Sequence, residues 1–253
     1  ASTHAGKWEK NRFMGTEGFN KTLGVIGAGN IGSIVCDRAL GLRMKVLAYD
    51  PFLSDDRATH MGVTKVELNE LLARSDFITL HVPLTDKTRN ILSKQAIAAT
   101  KKGVRIINCA RGGLIDEAAL AEALKSGHVA GAALDVFAEE PATASPLFGM
   151  PNVVVTPHLG ASTTEAQENV ALQVAEQMSD YLLTGAVQNA LNMPSVTAEE
   201  AAVMGPWIKL AGHLGAFVGQ MTDEPIKAIN ILYDGAVADM NLQALNCAVI
   251  AGI

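Results

Sequence analysis

The stretch Gly24-Val25-Ile26-Gly27-Ala28-Gly29-Asn30-Ile31-Gly32 decides the fold of the first part of the chain. Its apolar start predicts a short buried strand, and the pattern beyond it predicts a helix from Ile31 to about Leu42. The three glycines between strand and helix have the spacing G-x-G-x-x-G. In that position the motif predicts a turn whose backbone approaches the pyrophosphate of a dinucleotide.

Each glycine of this turn has its own physical role. Gly27 permits the tight turn, Gly29 lets the backbone approach the pyrophosphate, and Gly32 lets the helix pack closely on the strand. The helix N-terminus then offers amide donors and positive potential to the phosphates. The alternative is a glycine turn that binds no ligand.

Asp50 ends the next predicted strand, 18 positions after Gly32, close to the roughly 20 of dinucleotide-binding units. Its carboxylate can accept hydrogen bonds from the adenosine ribose, and its charge repels a 2′-phosphate. The sequence therefore predicts NAD rather than NADP as the cofactor. The alternative for Asp50 is a solvated surface acid.

Short apolar runs continue to alternate with helical patterns along the chain. The predicted strands cover residues 23–26, 46–49, 77–82, 104–108, 129–136 and 153–156. Such alternation is typical of parallel strands joined by crossover helices. The predicted fold class is α/β, with a doubly wound parallel sheet that forms a Rossmann-type NAD-binding domain.

The C-terminal third has a different pattern. Capping-box spacing at residues 162–165 predicts a helix to about Leu183, with an apolar stripe of buried residues repeating every four positions: Ala166, Val170, Val174, Met178 and Leu182. Residues 189–194 are interpreted as a linker, followed by a helix over 198–218, a strand over 226–232 and a final helix from Leu242. We therefore predict an NAD-binding domain with flanking helices over residues 1–189 and a small, incomplete second α/β unit over 190–253.

Composition narrows the class of protein. The chain has 253 residues, of which 49% are hydrophobic and 18% charged, which is enough apolar material for a core. Its 20 Lys and Arg against 26 Asp and Glu give a net charge of −6, which argues against a nucleic-acid partner. Three widely spaced cysteines imply no disulfide framework and favour a reducing, cytoplasmic location. No uninterrupted run approaches the roughly 18 apolar residues of a membrane span, so no membrane partner is predicted.

Four polar residues follow predicted strands: Arg111, Asp135, Glu140 and His158. Ligands of doubly wound sheets bind beyond the carboxyl ends of the strands, so these side chains can converge. Arg111 can hold a carboxylate through two parallel bonds, with a structural salt bridge as the alternative. His158 can transfer protons, and Glu140 can hydrogen-bond its ring and favour the imidazolium form. The alternative for a single histidine is a hydrogen-bonded residue of the core.

We make three further predictions, on a cysteine, a basic segment and metal binding. Cys109 lies at the end of an apolar strand, so we expect a buried, inert thiol, with a reactive thiol as the alternative. The basic segment over residues 7–12 is expected to be a solvated helix face, or else to present cations to an anionic substrate across a subunit boundary. No cysteine or histidine cluster has zinc spacing, so no metal is predicted.

Several stretches together resemble the NAD-dependent D-2-hydroxyacid dehydrogenases. The resemblance is carried by the glycine turn and by Tyr49-Asp50-Pro51, Asn108-Cys109-Ala110-Arg111-Gly112-Gly113, Ala133-Leu134-Asp135-Val136-Phe137-Ala138-Glu139-Glu140-Pro141 and Pro157-His158-Leu159-Gly160-Ala161-Ser162. These stretches follow the family's order over residues 1 to about 190. The chain from Pro194 onward resembles the start of the extra domain of the long bacterial members, which oxidise 3-phospho-D-glycerate in serine biosynthesis.

The resemblance implies roles for the matching residues. Arg111 would bind the substrate carboxylate, His158 would be the general acid/base with Glu140 as its partner, and Asp135 would contact the nicotinamide carboxamide. The pyrophosphate and adenosine side would be held by Asn30, Ile31 and Asp50. The cofactor cleft would be lined by Val82, Pro83, Cys109, Ala110, His158, Leu159, Gly160 and Ala161.

The resemblance also implies a phosphorylated 2-hydroxy acid as substrate and a homo-oligomer, a dimer or tetramer. Family members carry further residues before and after the matching part, so we expect a piece of a longer polypeptide that binds NAD but turns over poorly. Three alternatives stay open. They are another 2-hydroxyacid dehydrogenase such as a glyoxylate or hydroxypyruvate reductase, an NAD-sensing corepressor-like interaction protein, and the nucleotide-binding domain of an unrelated enzyme.

Overall fold

The computed structural model describes residues 2–190, 194–221 and 226–253 of the chain. The chain divides into two compact units, Ala1–Ser162 and Thr163–Ile253. Every residue that the sequence singled out for chemistry lies in the first unit. The first unit is therefore the one whose architecture matters for function.

A seven-stranded parallel sheet forms the centre of the first unit. Its strands are β1 (Thr22–Ile26), β2 (Lys45–Tyr49), β3 (Thr64–Lys65), β4 (Phe77–Leu80), β5 (Val104–Asn108), β6 (Val129–Leu134) and β7 (Val153–Val155). They are ordered β3-β2-β1-β4-β5-β6-β7, and every neighbouring pair is parallel. The chain thus builds outward from β1 in one direction and then returns to add β4 on its other side. This order confirms the predicted doubly wound, Rossmann-type fold.

The central strands are apolar on both faces, as a parallel sheet covered by helices requires. Val25 and Ile26 of β1 and Ile78 and Leu80 of β4 are fully buried. In register, Ile26 lies opposite Tyr49 on one side and Leu80 on the other, so these strands end at the same edge of the sheet. The loops after β1, β2 and β4 therefore emerge together.

Five α-helices belong to the described part of the first unit: α1 (Asn30–Gly41), α2 (Asp55–His60), α3 (Leu68–Arg74), α4 (Lys94–Ala98) and α5 (Glu117–Lys125). Three of them begin at a side-chain cap. The oxygens of Ser54, Ser93 and Asp116 accept hydrogen bonds from backbone amides in the first turns of α2, α4 and α5. Such caps satisfy amide groups that have no partner within the helix.

The described part of the second unit contains three longer α-helices, α6 (Thr164–Thr184), α7 (Ala198–Gln220) and α8 (Leu242–Gly252). Helices α7 and α8 pack closely because glycines line the contact. A Cβ added to Gly215 would lie 2.0 Å from the Val249 carbonyl oxygen, and one added to Gly252 would lie 2.4 Å from that of Gly212. A small cluster of buried side chains includes Met204 of α7 and Leu245 of α8.

Two expectations for the second unit are wrong. Residues 226–232, predicted as a strand, form no regular secondary structure, and no described residue pairs with them. A strand needs a neighbour for its backbone hydrogen bonds, so the described part of this unit is helical rather than α/β. The apolar stripe of α6 is exposed instead of buried, and Leu182 reaches 76% exposure. A helix buries a stripe only where another element packs on it, and periodicity alone does not supply that element.

The boundary between the units also differs in detail from the sequence pattern. The contacts divide the chain between Ser162 and Thr163, which groups α6 with the second unit, and the N-cap of α6 is Thr163. The predicted linker over residues 189–194 includes residues 191–193, which lie outside the described residues. Among the described helices, α7 is long and apolar enough over Glu199–Gln220 to meet the length and composition criterion of a membrane span, which core helices of soluble proteins also meet.

Candidate active site

The glycine turn after β1 has the geometry that its residues predict. Gly27 has a φ of +95°, and a Cβ on it would lie 2.6 Å from the backbone oxygen of His81. A Cβ on Gly32 would lie 1.9 Å from the carbonyl oxygen of Gly27. Both positions therefore require glycine. Gly27 adopts a left-handed backbone conformation close to the loop after β4, and Gly32 lets α1 pack closely on the turn.

Gly29 differs from the other two glycines because a Cβ on it would meet no atom within 4 Å. The space beside it is open, and it lies at the N-cap of α1, where no side chain caps the helix. The first amides of a helix have no partner within the helix and favour an anion. The turn therefore fits the pyrophosphate of a dinucleotide, with Gly29, Asn30 and Ile31 around the open space.

Asp50 is fixed against the glycine turn by two backbone amides. Its Oδ2 accepts a hydrogen bond from the Ala28 amide at 2.8 Å, and its Oδ1 accepts one from the Phe52 amide at 2.8 Å. These contacts hold a half-buried carboxylate at the end of β2 without an ion-pair partner among the described residues. Its remaining acceptor capacity suits the hydroxyl groups of a ribose.

The loop after β4 packs directly on the same turn. The His81 amide donates to the Ile26 carbonyl at 2.7 Å, and Val82 would collide with a side chain at position 27. Pro83 follows, and its carbonyl accepts a hydrogen bond from the Thr88 hydroxyl at 2.6 Å. Burial lowers the pKa of His81, which favours its neutral form. Val82 therefore packs against the glycine turn, and the lining of a cofactor cleft by Val82 and Pro83 stays a prediction.

The loop after β5 carries Cys109, Ala110 and Arg111, and Asn108 shapes it. The buried Asn108 side chain donates to the Arg111 carbonyl at 2.9 Å and accepts from the Ala110 amide at 3.1 Å. Arg111 is exposed, its guanidinium donates to the Ala110 carbonyl at 2.6 Å, and it forms no ion pair among the described residues. That arrangement leaves the guanidinium able to bind a carboxylate rather than holding it in a structural salt bridge.

The expectation of a buried Cys109 is wrong. The residue is exposed, because β5 ends at Asn108 and the chain turns outward directly after it. Partial desolvation, and then the charge of Asp135, raise the pKa of the thiol. The thiol is thus accessible but disfavoured as a thiolate.

His158 and Glu140 form a hydrogen-bonded pair on neighbouring loops. The Nδ1 of His158 lies 2.8 Å from Oε2 of Glu140, and Oε1 of Glu140 accepts from the Phe137 amide at 2.9 Å. The hydrogen bond from His158 and then the Phe137 amide lower the pKa of Glu140. With Nδ1 engaged by a carboxylate, Nε2 is the nitrogen left for proton transfer, on a side chain that is 49% exposed.

The loop that carries His158 is anchored by Asp135. This residue is only 4% exposed, and its carboxylate accepts from the amides of Leu159 at 2.7 Å and Gly160 at 2.8 Å, and from the Thr156 hydroxyl. Burial opposes the charged form, but these hydrogen bonds outweigh it, so the pKa of Asp135 is lowered. The backbone of His158, with a φ of +56°, is further tied to the Asp135 carbonyl at 2.8 Å.

The sequence did not identify this anchoring role, nor that of Asn108 and Gly112. The resemblance implied only a cofactor contact for Asp135, whereas both of its oxygens bind the loop over residues 156–160. A Cβ on Gly112 would lie 1.7 Å from the Phe137 carbonyl oxygen, so the loop of Arg111 touches the loop of Glu140 backbone to backbone. The glycine pair after Arg111 was the available signal for that contact.

Together these loops place the predicted residues along one edge of the sheet. The pair of His158 and Glu140 also lines a cavity of about 510 Å³, whose other walls are mostly apolar: Phe137, Pro141, Ala142, Phe148, Val155, Thr156 and Pro157. The basic segment over residues 7–12 is exposed apart from the half-buried Glu9, which pairs with Arg12 at 3.2 Å. Within the described ranges, no group of three or more His, Cys, Asp or Glu is arranged to hold a metal ion.

Comparison with known proteins identifies two families of domain. Residues 1–160 match the model of the D-isomer specific 2-hydroxyacid dehydrogenase, NAD binding domain. Residues 203–253 match that of the D-3-phosphoglycerate dehydrogenase intervening domain. The first match covers all the loops described above.

Similar proteins extend over the whole chain. The D-3-phosphoglycerate dehydrogenase of Bacillus subtilis is 46% identical over 251 residues, which is 99% of this chain and 48% of that protein. The protein of the same name from Synechocystis is 47% identical over 253 residues, which is 100% of this chain and 46% of that protein. The chain therefore spans about half the length of the curated relatives it matches.

Solved structures show the same fold. A glyoxylate reductase from Paecilomyes thermophila superposes with a TM-score of 0.68 at 36% identity, over 74% of this chain and 57% of the other. An acyclic imino acid reductase in complex with NADPH and D-Arg superposes with a TM-score of 0.64 at 32% identity, over 72% of this chain and 57% of the other. The fold of this chain is thus shared with proteins whose names describe different reductions.

Proposed function

Because the chain belongs to the D-isomer specific 2-hydroxyacid dehydrogenase family, we propose that it carries the hydride-transfer site of a phosphoglycerate dehydrogenase. The reaction is the NAD-dependent oxidation of 3-phospho-D-glycerate to 3-phosphohydroxypyruvate, the first step of serine biosynthesis. The name shared by relatives that are 46–47% identical supports this substrate. A cytoplasmic, homo-oligomeric enzyme is part of the same proposal.

The observation that carries the proposal is the hydrogen bond of 2.8 Å between His158 Nδ1 and Glu140 Oε2. In the oxidative direction, His158 Nε2 accepts the proton of the C2 hydroxyl while the C2–H bond breaks. Bound NAD supplies the acceptor of that hydride. Glu140 accepts a hydrogen bond from Nδ1–H of His158, which leaves Nε2 unprotonated and able to accept the proton. The carboxylate then stabilises the positive charge of the imidazolium.

Arg111 and the anchored loop supply orientation. The Arg111 guanidinium, without an ion pair among the described residues, binds the substrate carboxylate through two parallel bonds. The carboxylate of Asp135 keeps His158 in place through the amides of Leu159 and Gly160. With the substrate carboxylate bound by Arg111 and the imidazole of His158 held in place, the C2 hydroxyl of the substrate is directed toward His158 Nε2. This orientation contributes to the rate.

The residues around the glycine turn hold the cofactor. Amides near Gly29 at the start of α1 bind the pyrophosphate, and Asp50 binds the adenosine ribose. The space lined by Val82, Pro83, Cys109 and Ala110 accepts the nicotinamide half. The open space at Gly29 and the position of the Asp50 carboxylate beside the Ala28 amide support the pyrophosphate and ribose assignments. The family resemblance supports the assignment of the nicotinamide half.

The test is the rate of 3-phosphohydroxypyruvate reduction by NADH, with NADH fluorescence recorded in the same cuvette. His158→Ala in the natural full-length protein is expected to lower turnover by about 10²–10⁴-fold, because the proton donor is lost. NADH binding should stay nearly intact, since the glycine turn is unchanged. Unchanged turnover of this variant would exclude His158 as the acid/base, and a folded protein that does not bind NADH would exclude the glycine-turn assignment.

A second candidate is a glyoxylate or hydroxypyruvate reductase, favoured by the 36% identity to a solved glyoxylate reductase. The two functions share the proton-transfer pair and differ in whether the substrate carries a phosphate. Relative kcat/KM for 3-phosphohydroxypyruvate, hydroxypyruvate and glyoxylate separates them. Preference for the unphosphorylated acids would replace the first proposal with the second.

A further inference from the structure

Arg57 lies beside the adenosine end of the proposed cofactor site, and no role has been given to it so far. Its backbone amide donates to the Ser54 cap at 3.2 Å, which fixes the residue in the first turn of α2. Its Nη2 donates to the Ala28 carbonyl at 3.3 Å. The residue is therefore held at the glycine turn from both its backbone and its side chain.

Asp50 and Arg57 bind opposite ends of one residue of the turn. The Ala28 amide donates to Asp50 Oδ2 at 2.8 Å, and the Ala28 carbonyl accepts from Arg57. An anion and a cation therefore flank the place where the adenosine ribose of the proposed function would lie. Both groups contact Ala28, so in the proposed function Arg57 lies beside the ribose that Asp50 binds.

The charge of Arg57 is not neutralised by a close carboxylate. No ion pair within 4.0 Å involves it among the described residues, and its side chain is exposed. By contrast, Asp55, in the same turn of α2, is paired with Lys65 at 3.1 Å. The guanidinium is thus available to an anionic ligand.

From this arrangement we infer that Arg57 is a second determinant of cofactor choice. Its guanidinium can bind the 2′-phosphate of NADPH, and the charge of Asp50 alone keeps that phosphate from binding. The inference rests on the proposed dinucleotide function and extends it. A guanidinium binds phosphate through parallel charge-assisted bonds, and an arginine near this ribose is how NADP is accommodated in such folds. A solved structure of the same fold, 32% identical, is described in complex with NADPH.

The test compares the affinities of four forms of the protein for NADH and NADPH by fluorescence titration. The forms are wild type, Asp50→Asn, Asp50→Asn with Arg57→Gln, and Asp50→Asn with Arg38→Gln. Asparagine keeps an oxygen for the Ala28 amide and removes the repelling charge. Arg38 is a matched control, an exposed arginine on α1 that is paired with Asp37 at 2.7 Å.

Asp50→Asn is expected to raise the affinity for NADPH by about tenfold or more, as one charge-assisted contact to a phosphate gives. Adding Arg57→Gln should remove that gain, whereas adding Arg38→Gln should keep it. The gain should also shrink as salt rises, since it is an attraction between exposed charges.

Each other outcome has a definite meaning. Equal NADPH affinity with and without Arg57 overturns the inference. A parallel loss of NADH and NADPH affinity on Arg57→Gln assigns the arginine a structural role in the glycine turn, and this also overturns it. If Asp50→Asn does not fold, Asp50→Ser replaces it, and preference of that variant for 2′,5′-ADP over 5′-AMP becomes the readout. Absence of NADH binding by folded wild type contradicts the proposed function itself, which separates the two failures.

Discussion

The two units of the chain use apolar residues in opposite ways. In the first unit the central strands bury most of their apolar side chains, and polar residues follow where those strands end. In the second unit, α6 buries none of its residues, and the α7–α8 pair has only a small buried cluster. The contrast shows that a sequence motif predicts a site when local packing already determines the backbone around it. A periodic apolar stripe predicts a helix face but does not predict which element packs on that face.

The largest effect is expected where the first unit packs backbone on backbone. Gly112→Ala would place a Cβ 1.7 Å from the Phe137 carbonyl oxygen and push apart the loops that carry Arg111 and Glu140. We expect turnover to fall by about 100-fold or more, since a displacement of roughly 1 Å can cost that much. NADH binding, measured by fluorescence, should change less than turnover, because the glycine turn and Asp50, which hold the pyrophosphate and the adenosine ribose, lie on other loops.

Gly41→Ala is the matched control, because a Cβ there meets no atom within 4 Å. A merely structural role for Gly112 would lower the concentration of folded enzyme while leaving the pH profile of kcat in place. The positioning role predicts an altered pH profile, since Phe137 also donates to Glu140 and Glu140 binds His158. An unshifted profile together with normal turnover per folded molecule would contradict it.

The next effect tests whether the second unit can be damaged separately. Gly215→Ala would place a Cβ 2.0 Å from the Val249 carbonyl oxygen and separate α7 from α8. Overpacking of this kind costs about 1–3 kcal/mol, enough to expose the amides of α8 to hydrogen exchange. Gly205→Ala, whose Cβ meets no atom within 4 Å, is the control. Loss of NADH binding along with α8 protection would show that the two units are energetically coupled.

The same contrast explains which features the sequence predicts well. The glycine turn is predictable because the φ of Gly27 and the close contact at Gly32 can be met by no other residue. The pair of His158 and Glu140 is predictable because both follow parallel strands, whose ends share one edge. The family resemblance then assigns roles that spacing alone leaves open.

The features that the sequence did not predict depend on contacts between distant residues. Exposure of Cys109 depends on where β5 ends and on the turn that Asn108 builds after it. The lack of a strand at residues 226–232 depends on the lack of a pairing neighbour in the described part of the second unit. The use of Asp135 as an anchor depends on a loop more than 20 residues away, at Leu159 and Gly160.

A smaller effect is expected in the response of the first unit to acid. The folded pKa of Asp135 lies below its ordinary value of 3.8, so its ionised form stabilises the first unit above that pH, and this contribution is lost as pH falls through the folded pKa. Asp135→Asn should lower stability at pH 7 by about 1–3 kcal/mol and flatten its decline below pH 4. Melting temperature against pH measures both. An unchanged acid slope would show that other carboxylates govern acid unfolding.

The smallest effect is expected on the exposed stripe of α6. Leu182 is 76% exposed, so Leu182→Gln removes little buried area and should change the free energy of unfolding by no more than about 0.5 kcal/mol. Leu245→Ala, at a side chain 1% exposed in the second unit, should cost about 2–5 kcal/mol in the same denaturant titration. If Leu182→Gln instead costs as much as Leu245→Ala in the natural full-length protein, another surface covers the stripe. The contrast between the units would then lie in what packs on them rather than in their own sequences.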